Sequence, residues 1–356
     1  MLFEPHWEYI GLDISDRSLK AVQLKRTFNG RLGLRGMGQL ELPAGIFADG
    51  ELKNTEGFTE ALHRLLSRAQ VGKFTTTYLV ASLPEPKTFI KLIDVPPMSP
   101  AEIPQAIRWE AEHHIPIPIE ETYWDWQQVG LPLGNARLPI LLGVAPKTIV
   151  DSYTAALSSA GLIPTAFEIE ATAITRCLFP LKETNVNQAT IIIDIGATRT
   201  GLTLFDQKTI QFTVSLPISG RKITETIAAS LSLSDAEAEQ AKILCGLDPK
   251  KCRGAMATIL KQVMDNLLQH IREAIVFYQE HFPGGQPVHQ IMLCGGGSNF
   301  KGIDQYLTEN LKLPVQLGNP WLNLEPARAP LKPAELLSYT TAIGLALRPP
   351  SLHQNV

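Results

Sequence analysis

TIIIDIGATRTGLTLF, residues 190–205, couples a run of β-branched residues to a second apolar strand through a short turn. Asp194 stands near the end of the first strand, and Gly196, Ala197 and Thr198 occupy the turn. Since these turn residues have little side-chain bulk, the backbone N–H groups of such a hairpin can converge on an anion. The pattern therefore predicts a β-hairpin with an anion-binding turn.

Asp194 would lie close to an anion bound at this turn. A carboxylate about 5 Å from a phosphate oxygen, at an effective dielectric near 20, is repelled by roughly 3 kcal/mol per unit charge. The arrangement is favourable only if a divalent cation lies between the two negative groups, which indicates phosphate together with magnesium. A buried hairpin with a capping aspartate is the alternative, and this stretch alone leaves both open.

A second copy of the pattern favours the phosphate interpretation. Residues 9–24 read YIGLDISDRSLKAVQL, and when Asp13 is laid on Asp194 the apolar strand, the aspartate, the polar turn and the second strand run in step. Two such hairpins, 181 positions apart, predict a duplicated protein of two lobes with a nucleotide between them. On these motifs the chain resembles the actin, Hsp70 and sugar-kinase ATPase superfamily, and within it the FtsA-like PilM family of type IV pilus assembly proteins.

This resemblance implies an α/β chain with the actin-like ATPase fold, which has two RNase H-like lobes and a small inserted α/β subdomain of the 1C type. It covers almost the whole chain, because the motifs occur in the family's order and spacing. The segments that it implies are a first lobe over 1–83, the inserted subdomain over 84–161, a return to the first lobe with an interlobe helix over 162–188, second-lobe segments over 189–216 and 285–333, a helical subdomain over 217–284, a return helix over 334–348 and a tail over 349–356.

Composition sets bounds on the class of protein. The chain has 356 residues, 44% hydrophobic and 19% charged, as in ordinary globular proteins, and its net charge of −3 argues against nucleic acid and anionic membranes as partners. No apolar run approaches the roughly 20 residues of a spanning helix, and the N-terminus lacks the features of a signal peptide. A cytoplasmic protein is expected. Its four cysteines form no Cys-x-x-Cys pair, which predicts reduced, buried thiols rather than disulfides or zinc.

The resemblance implies ATP with Mg²⁺ as the ligand, with Asp13 and Asp194 holding the metal through water and Lys20 near the phosphates. Three consecutive glycines cost of order 1 kcal/mol each relative to alanine, so something should need the bare backbone. The resemblance implies that Gly295 to Gly297 lie against the adenosine. The alternative is a tight strand-to-helix turn, which would need only one or two glycines. The nucleotide-binding residues that the resemblance implies are Asp13, Ser15, Asp16, Ser18, Lys20, Asp194, Gly196, Ala197, Thr198, Gly220, Glu239, Lys242, Gly295, Gly296, Gly297 and Ser298.

Several of these positions carry separate expectations. Gly220 opens a helix whose N-terminus can face phosphates, and Glu239 and Lys242 share a helix face where the family contacts the ribose, although most such pairs are solvated surface charges. Ser15 replaces a usual glycine, so if that turn needs a positive φ, Ser15→Gly should tighten nucleotide binding, since serine costs roughly 1 kcal/mol there. Ser219 likewise stands where a glycine is common.

Catalysis is expected to be weak or absent. Glu170, which precedes a small-residue helix in the segment 167–178, matches the family's acid and is the candidate base for hydrolysis. Because of the departures at the turns and the lack of a second catalytic carboxylate, we expect an ATP-binding protein with slow ATPase activity or none.

The inserted segment 84–161 suggests the partner site. Its first helix is predicted to begin with a capping box at Ser99, with Pro104 pushing the start downstream or removing a backbone bond. The predicted buried stripe is Ile103, Ile107, Ala111 and Ile115, with Trp109 on the opposite face. By the family precedent, a groove at Trp109, Ile115, Pro116 and Ile117 takes the short cytoplasmic tail of a PilN-like inner-membrane protein; Trp109 packed on the first lobe is the alternative.

Three functions compete at this point. The first is an ATP-binding cytoplasmic scaffold of the pilus assembly platform, held at the inner membrane by its protein partner, without direct membrane insertion and without nucleic acid. The resemblance leaves room for contacts with pilus motor or platform proteins and for self-association. The second is a small-molecule kinase of the superfamily, for which no catalytic Asp segment is found. The third is an FtsA-like division protein, which the short, proline-containing tail RPPSLHQNV disfavours.

Overall fold

The computed structural model describes residues 9–99, 101–115, 117–129, 137–181, 188–248, 250–282, 284–325 and 331–349. The chain forms two compact units: the first comprises residues 1–182, 320–332 and 339–356, and the second comprises residues 183–319 and 333–338. The points at which the chain passes between the units differ from the expected segments: residues 320–332 belong to the first unit, whereas all of 285–333 was expected in the second lobe. No helix in the described part of the chain is long and apolar enough to cross a membrane.

The strands and helices of the described segments have the following bounds. The strands are β1 (Ile10–Ile14), β2 (Ser18–Arg26), β3 (Leu32–Glu41), β4 (Phe47–Ala48), β5 (Glu51–Leu52), β6 (Val71–Gly72), β7 (Tyr78–Leu83), β8 (Phe89–Val95), β9 (Thr122–Gln128), β10 (Leu138–Pro146), β11 (Ile163–Ile169), β12 (Ala189–Ile195), β13 (Thr200–Asp206), β14 (Thr209–Leu216), β15 (Val288–Cys294) and β16 (Val315–Leu317). The helices are α1 (Thr55–Ser67), α2 (Ile103–His114), α3 (Lys147–Ser159), α4 (Glu170–Leu178), α5 (Gly220–Leu231), α6 (Asp235–Cys245), α7 (Ala255–His281), α8 (Ile303–Leu311), α9 (Pro333–Leu336) and α10 (Thr340–Ala346).

The two units repeat one sheet topology. The first has the strand order β11-β7-β1-β2-β3-β6, and the second has the order β14-β13-β12-β15-β16. Read from the opposite edge, β3-β2-β1-β7-β11 and β14-β13-β12-β15-β16 are the same five-strand arrangement, with two antiparallel pairs followed by parallel pairs. The duplication expected from the two hairpin sequences is therefore present in the backbone.

Close helix packing covers the first sheet. An added Cβ at Gly11 of β1 would overlap the backbone of Ala342 and Ala346, so α10 lies directly on this strand. Gly344 of the same helix meets the carbonyl of Ala173 in α4. Only glycine permits such an approach of two backbones, which explains why both glycines lie inside regular elements, where they otherwise lower stability.

A buried ion cluster ties these helices to β11. Glu168 is buried, and its carboxylate accepts two hydrogen bonds from Arg176, at 2.7 and 3.0 Å, and a third from Arg348. Arg176 also donates to the carbonyl of Gly344, at 2.9 Å. A buried carboxylate needs such full pairing. The cluster shows that β11, α4 and α10 form one packed body, a contact that sequence reasoning did not find.

The inserted segment forms a three-stranded sheet, β8-β10-β9, under α2. Ile103 and Ile107 are buried against this sheet and Trp109 is 67% exposed, as predicted. Helix α2 begins at Ile103, so Pro104 lies in its first turn, where its missing N–H has no intrahelical partner to lose. Glu102 accepts hydrogen bonds from the N–H and hydroxyl of Ser99, at 2.9 and 2.7 Å, so part of the expected capping box is present one residue before the helix.

The buried face of helix α3 packs on the first lobe, while its exposed side contacts the inserted sheet, where the Tyr123 hydroxyl of β9 donates to Asp151 at 3.1 Å. Its buried residues Ile149, Tyr153 and Leu157 belong to the core of the first lobe, and the Tyr153 hydroxyl donates to the Gly50 carbonyl at 2.9 Å. By its packing the inserted unit therefore ends near Pro146, whereas the expected subdomain ran to residue 161. Strand β11 continues through Ile169, so the expected helix of residues 167–178 begins at Glu170.

The cysteines correct a further expectation. Cys245 and Cys252 form a disulfide, with their Cα atoms 5.9 Å apart, whereas all four cysteines were expected as free thiols. Gly246, with φ +52°, turns the chain after α6 and returns it toward that helix end. This brings the two Cα atoms within the range that a disulfide requires, which a six-residue spacing does not reveal. Cys177 and Cys294 are free and buried, as expected.

Candidate functional site

The two hairpins share one register. Asp13 faces Lys20 across β1 and β2, and Asp194 faces Gly201 across β12 and β13. Each is a four-residue turn closed by an equivalent backbone hydrogen bond: the Ser15 N–H donates to the Ser18 carbonyl at 3.1 Å, and the Gly196 N–H donates to the Arg199 carbonyl at 2.9 Å. The aspartates occupy equivalent places, each next to the carboxyl end of the central parallel strand of its sheet, where α/β sheets bind ligands.

In the first unit the aspartate already has a counter-ion. Asp13 is buried, and its Oδ2 lies 3.3 Å from the ammonium of Lys20. Lys20 also donates to the Ser18 hydroxyl at 3.1 Å. The Ser82 hydroxyl donates to Asp13 Oδ1 at 3.4 Å and accepts from the Ile14 N–H at 2.9 Å. Sequence reasoning missed Ser82; a serine within the buried run YLVASL is the only signal that could have pointed to it.

The turn of the first hairpin is unstrained. Ser15 does not have a positive φ, unlike the left-handed residues in the described chain. Its hydroxyl accepts from the Ser18 N–H at 3.2 Å and donates to the Ser18 carbonyl at 3.0 Å. The premise that serine strains this turn is therefore wrong, and no tightening of nucleotide binding is expected from Ser15→Gly. Asp16 accepts a hydrogen bond from the Gly50 N–H at 3.0 Å, so one of its oxygens is directed to that loop.

Tyr153 links this end of the first unit to Glu170. Burial raises the pKa of the Tyr153 phenol well above its ordinary value, and the nearby carboxylates of Asp16 and Glu170 raise it further. The phenol therefore stays protonated and donates to Gly50. Glu170 is half-buried at the first position of α4, directly after β11. It thus lies at the same carboxyl edge of the parallel strands as Asp13.

In the second unit the turn is more open. Asp194 is half-buried, and the residue opposite it is Gly201, which has no side chain. Ala197 and Thr198 at the tip are exposed. In the first hairpin the matching tip positions hold Asp16 and Arg17. The second tip therefore has two small, exposed, uncharged side chains where the first has a carboxylate and a guanidinium, so the backbone N–H groups of the second turn are more accessible to a phosphate.

The start of α5 packs against this turn through bare backbone. The Gly220 N–H donates to the Gly196 carbonyl at 2.9 Å, and the Arg221 N–H donates to the Ala197 carbonyl at 3.2 Å. Ser219 caps the helix by accepting from the Lys222 N–H at 3.1 Å. These first-turn N–H groups are therefore occupied by protein oxygens, whereas the helix N-terminus was expected to face phosphates directly. Ser219 is a regular cap rather than a strained replacement of glycine.

The pair Glu239 and Lys242 is a built feature of this site. Lys242 is buried, and its ammonium donates to the Gly220 carbonyl at 3.2 Å, to the Thr224 hydroxyl at 2.9 Å and to Glu239 at 2.6 Å. Its three donors are thereby used within the protein. The Glu239 side chain remains 46% exposed, so of the two it is the one that can accept from a ligand hydroxyl, while Lys242 positions it. The alternative of a solvated surface pair does not hold for Lys242.

The three glycines after β15 serve different purposes. Gly295 has φ +81°, and an added Cβ there would overlap the Asp194 carboxylate and lie 2.6 Å from the Ile195 carbonyl. An added Cβ at Gly297 would lie 2.5 Å from the Ile195 side chain. Both are required by β12 of the same unit. Gly296 is exposed, with nothing nearer than 3.6 Å to its added Cβ, so it alone offers bare backbone to a ligand. Ser298 is buried and donates to the Cys294 carbonyl.

The donor chemistry of both hairpins fits Mg²⁺ held mainly by water and phosphate. Within the described residues no group of three or more His, Cys, Asp or Glu could hold a metal by itself. Mg²⁺ in nucleotide sites usually takes one or two carboxylates together with waters and phosphate oxygens, so a single aspartate at the end of each strand is compatible with it. Asp194, which is half-buried, is more accessible to a hydrated ion than the buried Asp13, which is paired with Lys20.

On the inserted unit, the expected groove residues occupy two environments. Trp109 is exposed on α2, whose Arg108 donates to Glu120 at 2.7 Å. Ile115 is half-buried against the core of the three-stranded sheet, and Ile117 is also half-buried. Pro116 lies outside the described residues. The structure thus places Trp109 outward on α2, whereas Ile115, directly after the end of the helix, packs against the core of the sheet.

Comparison with known proteins gives a consistent result. A family model described as type IV pilus assembly protein PilM matches residues 11–349. A solved structure described as the PilM–PilN type IV pilus biogenesis complex superposes with a TM-score of 0.81 and 26% identity, covering 96% of this chain and 98% of that one. The cell division protein FtsA of Enterococcus hirae is 24% identical, covering 87% of this chain and 79% of FtsA.

A structure of MreB5 from Spiroplasma citri bound to AMPPNP shares the fold. Its TM-score is 0.50 at 13% identity, and the match covers 94% of each chain. The expected actin-like ATPase fold is confirmed by these likenesses and by the repeated sheets. A nucleotide analogue is bound by a protein of this fold, and the two hairpins described above have the same strand–turn–strand form in both units.

Proposed function

From its family, the type IV pilus assembly proteins PilM, to which this chain belongs, we propose a specific role within pilus assembly. The protein is an ATP-binding scaffold that recruits the cytoplasmic tail of a PilN-like inner-membrane protein and is held at the membrane by that partner. The observation that carries the proposal is the likeness over 96% of the chain to the PilM–PilN complex structure. Assembly contacts with pilus motor or platform proteins, and self-association, remain further proposals.

The nucleotide part of the proposal rests on the geometry of the second unit. Asp194 beside an open turn, the exposed Gly296 and the half-exposed Glu239 are suited to metal, adenosine and ribose respectively. Lys20 is proposed near the phosphates and Asp13 as the second metal carboxylate, on the basis of the sequence duplication. Mg²⁺ would screen the phosphate charges from these carboxylates.

Calorimetry of the full chain with ATP, at fixed excess Mg²⁺, tests this assignment. We expect Glu239→Gln to weaken ATP binding several-fold, since a hydroxyl's hydrogen bond to a carboxylate is worth about 1 kcal/mol more than one to a neutral amide. The matched control is Glu273→Gln, on the exposed face of α7. Equal affinity in all three proteins would remove Glu239 from the site.

We propose that hydrolysis is slow. Glu170 lies beside the proposed metal carboxylate Asp13 at the carboxyl edge of the first sheet, and no second candidate base was found in the sequence. Turnover well under the roughly 10 s⁻¹ typical of enzymes is expected. A purified protein that hydrolyses ATP at about that rate, and loses the activity in Glu170→Gln, would show a true ATPase rather than a scaffold.

The inserted unit offers two apolar surfaces for the partner's tail. One is the outward face of α2 with Trp109, the kind of aromatic anchor that dominates interface energies. The other is the face of the three-stranded sheet opposite α2, where Ile90, Leu92 and Leu141 are half-buried. Since a tail that orders on binding loses conformational entropy, micromolar affinity is expected.

A fluorescence-anisotropy titration separates these surfaces. A labelled peptide from the N-terminus of the PilN-like protein is titrated with wild type, Trp109→Ala, Leu141→Gln and the exposed control Leu244→Ala. Loss in Trp109→Ala supports the groove proposed at α2, and loss in Leu141→Gln assigns the tail to the opposite face. Point variants are used rather than a deletion of residues 84–161, because that deletion would remove α3, which belongs to the core of the first lobe. Failure of the peptide to bind wild type would remove the main support for the scaffold.

A further inference from the structure

The hairpin of β2 and β3 ends in a tip that exposes an aromatic ring. Phe28 is 106% exposed, more than any other large apolar side chain in the part of the chain that the structure describes. The turn below it is closed: the Thr27 N–H donates to the Arg31 carbonyl at 2.8 Å, and the Gly30 N–H donates to the Thr27 carbonyl at 2.9 Å. Gly30 has φ +73°, which glycine adopts without strain. An ordered turn thus holds the ring in solvent.

The same hairpin concentrates positive charge. Between Asp16 and Glu41 the sequence contains six Lys or Arg and no Asp or Glu, in a chain whose net charge is −3. Lys25, Arg26 and Arg31 flank the ring and are exposed. Among described residues outside the hairpin, Glu325 approaches it at Gly33, and its N–H donates to the Leu32 carbonyl. That contact is at the base of the hairpin, and the positive charge at the tip is carried by the exposed Lys25 and Arg31.

We propose that this tip, residues 25–31, docks on an anionic lipid membrane. Phe28 enters the head-group region, and Lys25 and Arg31 contact the lipid phosphates. Aromatic side chains favour the interface between membrane and water, and basic residues are attracted to anionic lipids. A single protruding ring on a convex turn suits a soft surface, whereas a nucleic-acid strand requires a groove with stacking platforms and a protein partner a broad, complementary patch.

The proposed docking differs from the expectation drawn from the average charge. The net charge of −3 argued against an anionic membrane, but attraction to a surface decays within a Debye length of about 10 Å, so the local charge of the tip decides. The inference is independent of the proposed nucleotide and partner sites. Contact through the tip would add a second, weak attachment to that supplied by a membrane-protein partner.

Co-sedimentation of the full chain with vesicles tests the docking. The vesicles contain phosphatidylglycerol and phosphatidylethanolamine, with pure phosphatidylcholine as the neutral comparison. We expect Phe28→Ser to lower partitioning about tenfold, and each of Lys25→Gln and Arg31→Gln to lower it about fivefold. Leu244→Ser, which removes a 63% exposed apolar side chain elsewhere, should leave it unchanged. Equal sedimentation of wild type and Phe28→Ser, or equal binding to neutral vesicles, would overturn the proposal.

A fluorescent probe beside the ring distinguishes a membrane from other polyanions. Asn29→Cys is labelled with an environment-sensitive dye; the native cysteines are buried or disulfide-bonded, so the label is selective. Anionic vesicles should shift the emission to the blue, because the tip enters an apolar layer. An equal response to duplex DNA or to polyglutamate would overturn the membrane assignment in favour of a general polyanion site.

Discussion

The hairpins at Asp13 and Asp194 have the same backbone form, but different residues surround the two carboxylates. In the first, Lys20 and Ser82 bind the aspartate within the protein. In the second, the position opposite the aspartate is Gly201, and the residue of the neighbouring strand that matches Ser82 is Cys294. The two units thus share one backbone frame, but Asp13 is buried and paired with Lys20, whereas Asp194 is half-buried and more accessible from solvent.

The surroundings of the hairpins differ in the same way. Behind the first, α10 lies on Gly11 of β1, whereas the matching residue of β12 is the buried Ile192. Beside the second, Gly196, Gly220 and Gly297 bring three backbones together, with Lys242 pinning the start of α5. The first hairpin is therefore fixed by a helix on its face, and the second by turns at its end.

The largest effect should come from filling the contact behind the first hairpin. In Gly11→Val the new side chain would overlap the backbone of α10, so we expect a loss of about 4 kcal/mol in the free energy of unfolding. Ile192→Val, at the matching place in the second unit, should cost about 1 kcal/mol. Urea unfolding measures both, and equal costs would show that the two sheets are covered alike.

A smaller loss should follow from unpairing the first aspartate. Asp13→Asn removes the charge that balances the nearly buried Lys20 ammonium, so we expect a loss of about 2 kcal/mol. Asp194→Asn should cost under about 0.5 kcal/mol, since that side chain is half-exposed. Thermal unfolding without nucleotide checks the contrast. A larger loss in Asp194→Asn than in Asp13→Asn would contradict the description of Asp13 as the buried, paired carboxylate and of Asp194 as the more accessible one.

The smallest effect concerns the turn. Ser15→Gly removes hydroxyl bonds to Ser18 and relieves no strain, so we expect about 1 kcal/mol of lost stability and ATP affinity unchanged within about twofold. Calorimetry and urea unfolding measure the two quantities. Tighter ATP binding in Ser15→Gly would mean that the turn adopts a positive φ when nucleotide is bound, contrary to the backbone described here.

Much of this frame could be predicted from the sequence. The hairpins are local, so strand periodicity and turn residues fix their form, and laying Asp13 on Asp194 identified the repeat. The inward face of α2 also followed from its spacing. Contacts between distant segments could not be predicted: Ser82 reaches Asp13 across 69 positions, and Glu168 meets Arg348 across 180. Such pairs depend on strand order, which no local pattern encodes.

The errors have similar causes. Ser15 was expected to be strained because of its residue type, but φ depends on how the turn closes. The reduced state of Cys245 and Cys252 was inferred from spacing, and the turn at Gly246 brings them together. Helix α3 was assigned to the inserted unit because it follows that unit in the chain, yet its apolar face is buried in the first lobe.

The openness of the second hairpin is the central claim, and calorimetric titration of the full chain with ATP, with and without Mg²⁺, tests it most directly. In wild type we expect Mg²⁺ to strengthen ATP binding, because the cation screens the phosphates from Asp194. In Asp194→Ala that Mg²⁺-dependent part of the affinity should disappear, while the fold remains intact by circular dichroism. Equal ATP affinities for wild type and Asp194→Ala, both with and without Mg²⁺, would contradict the account.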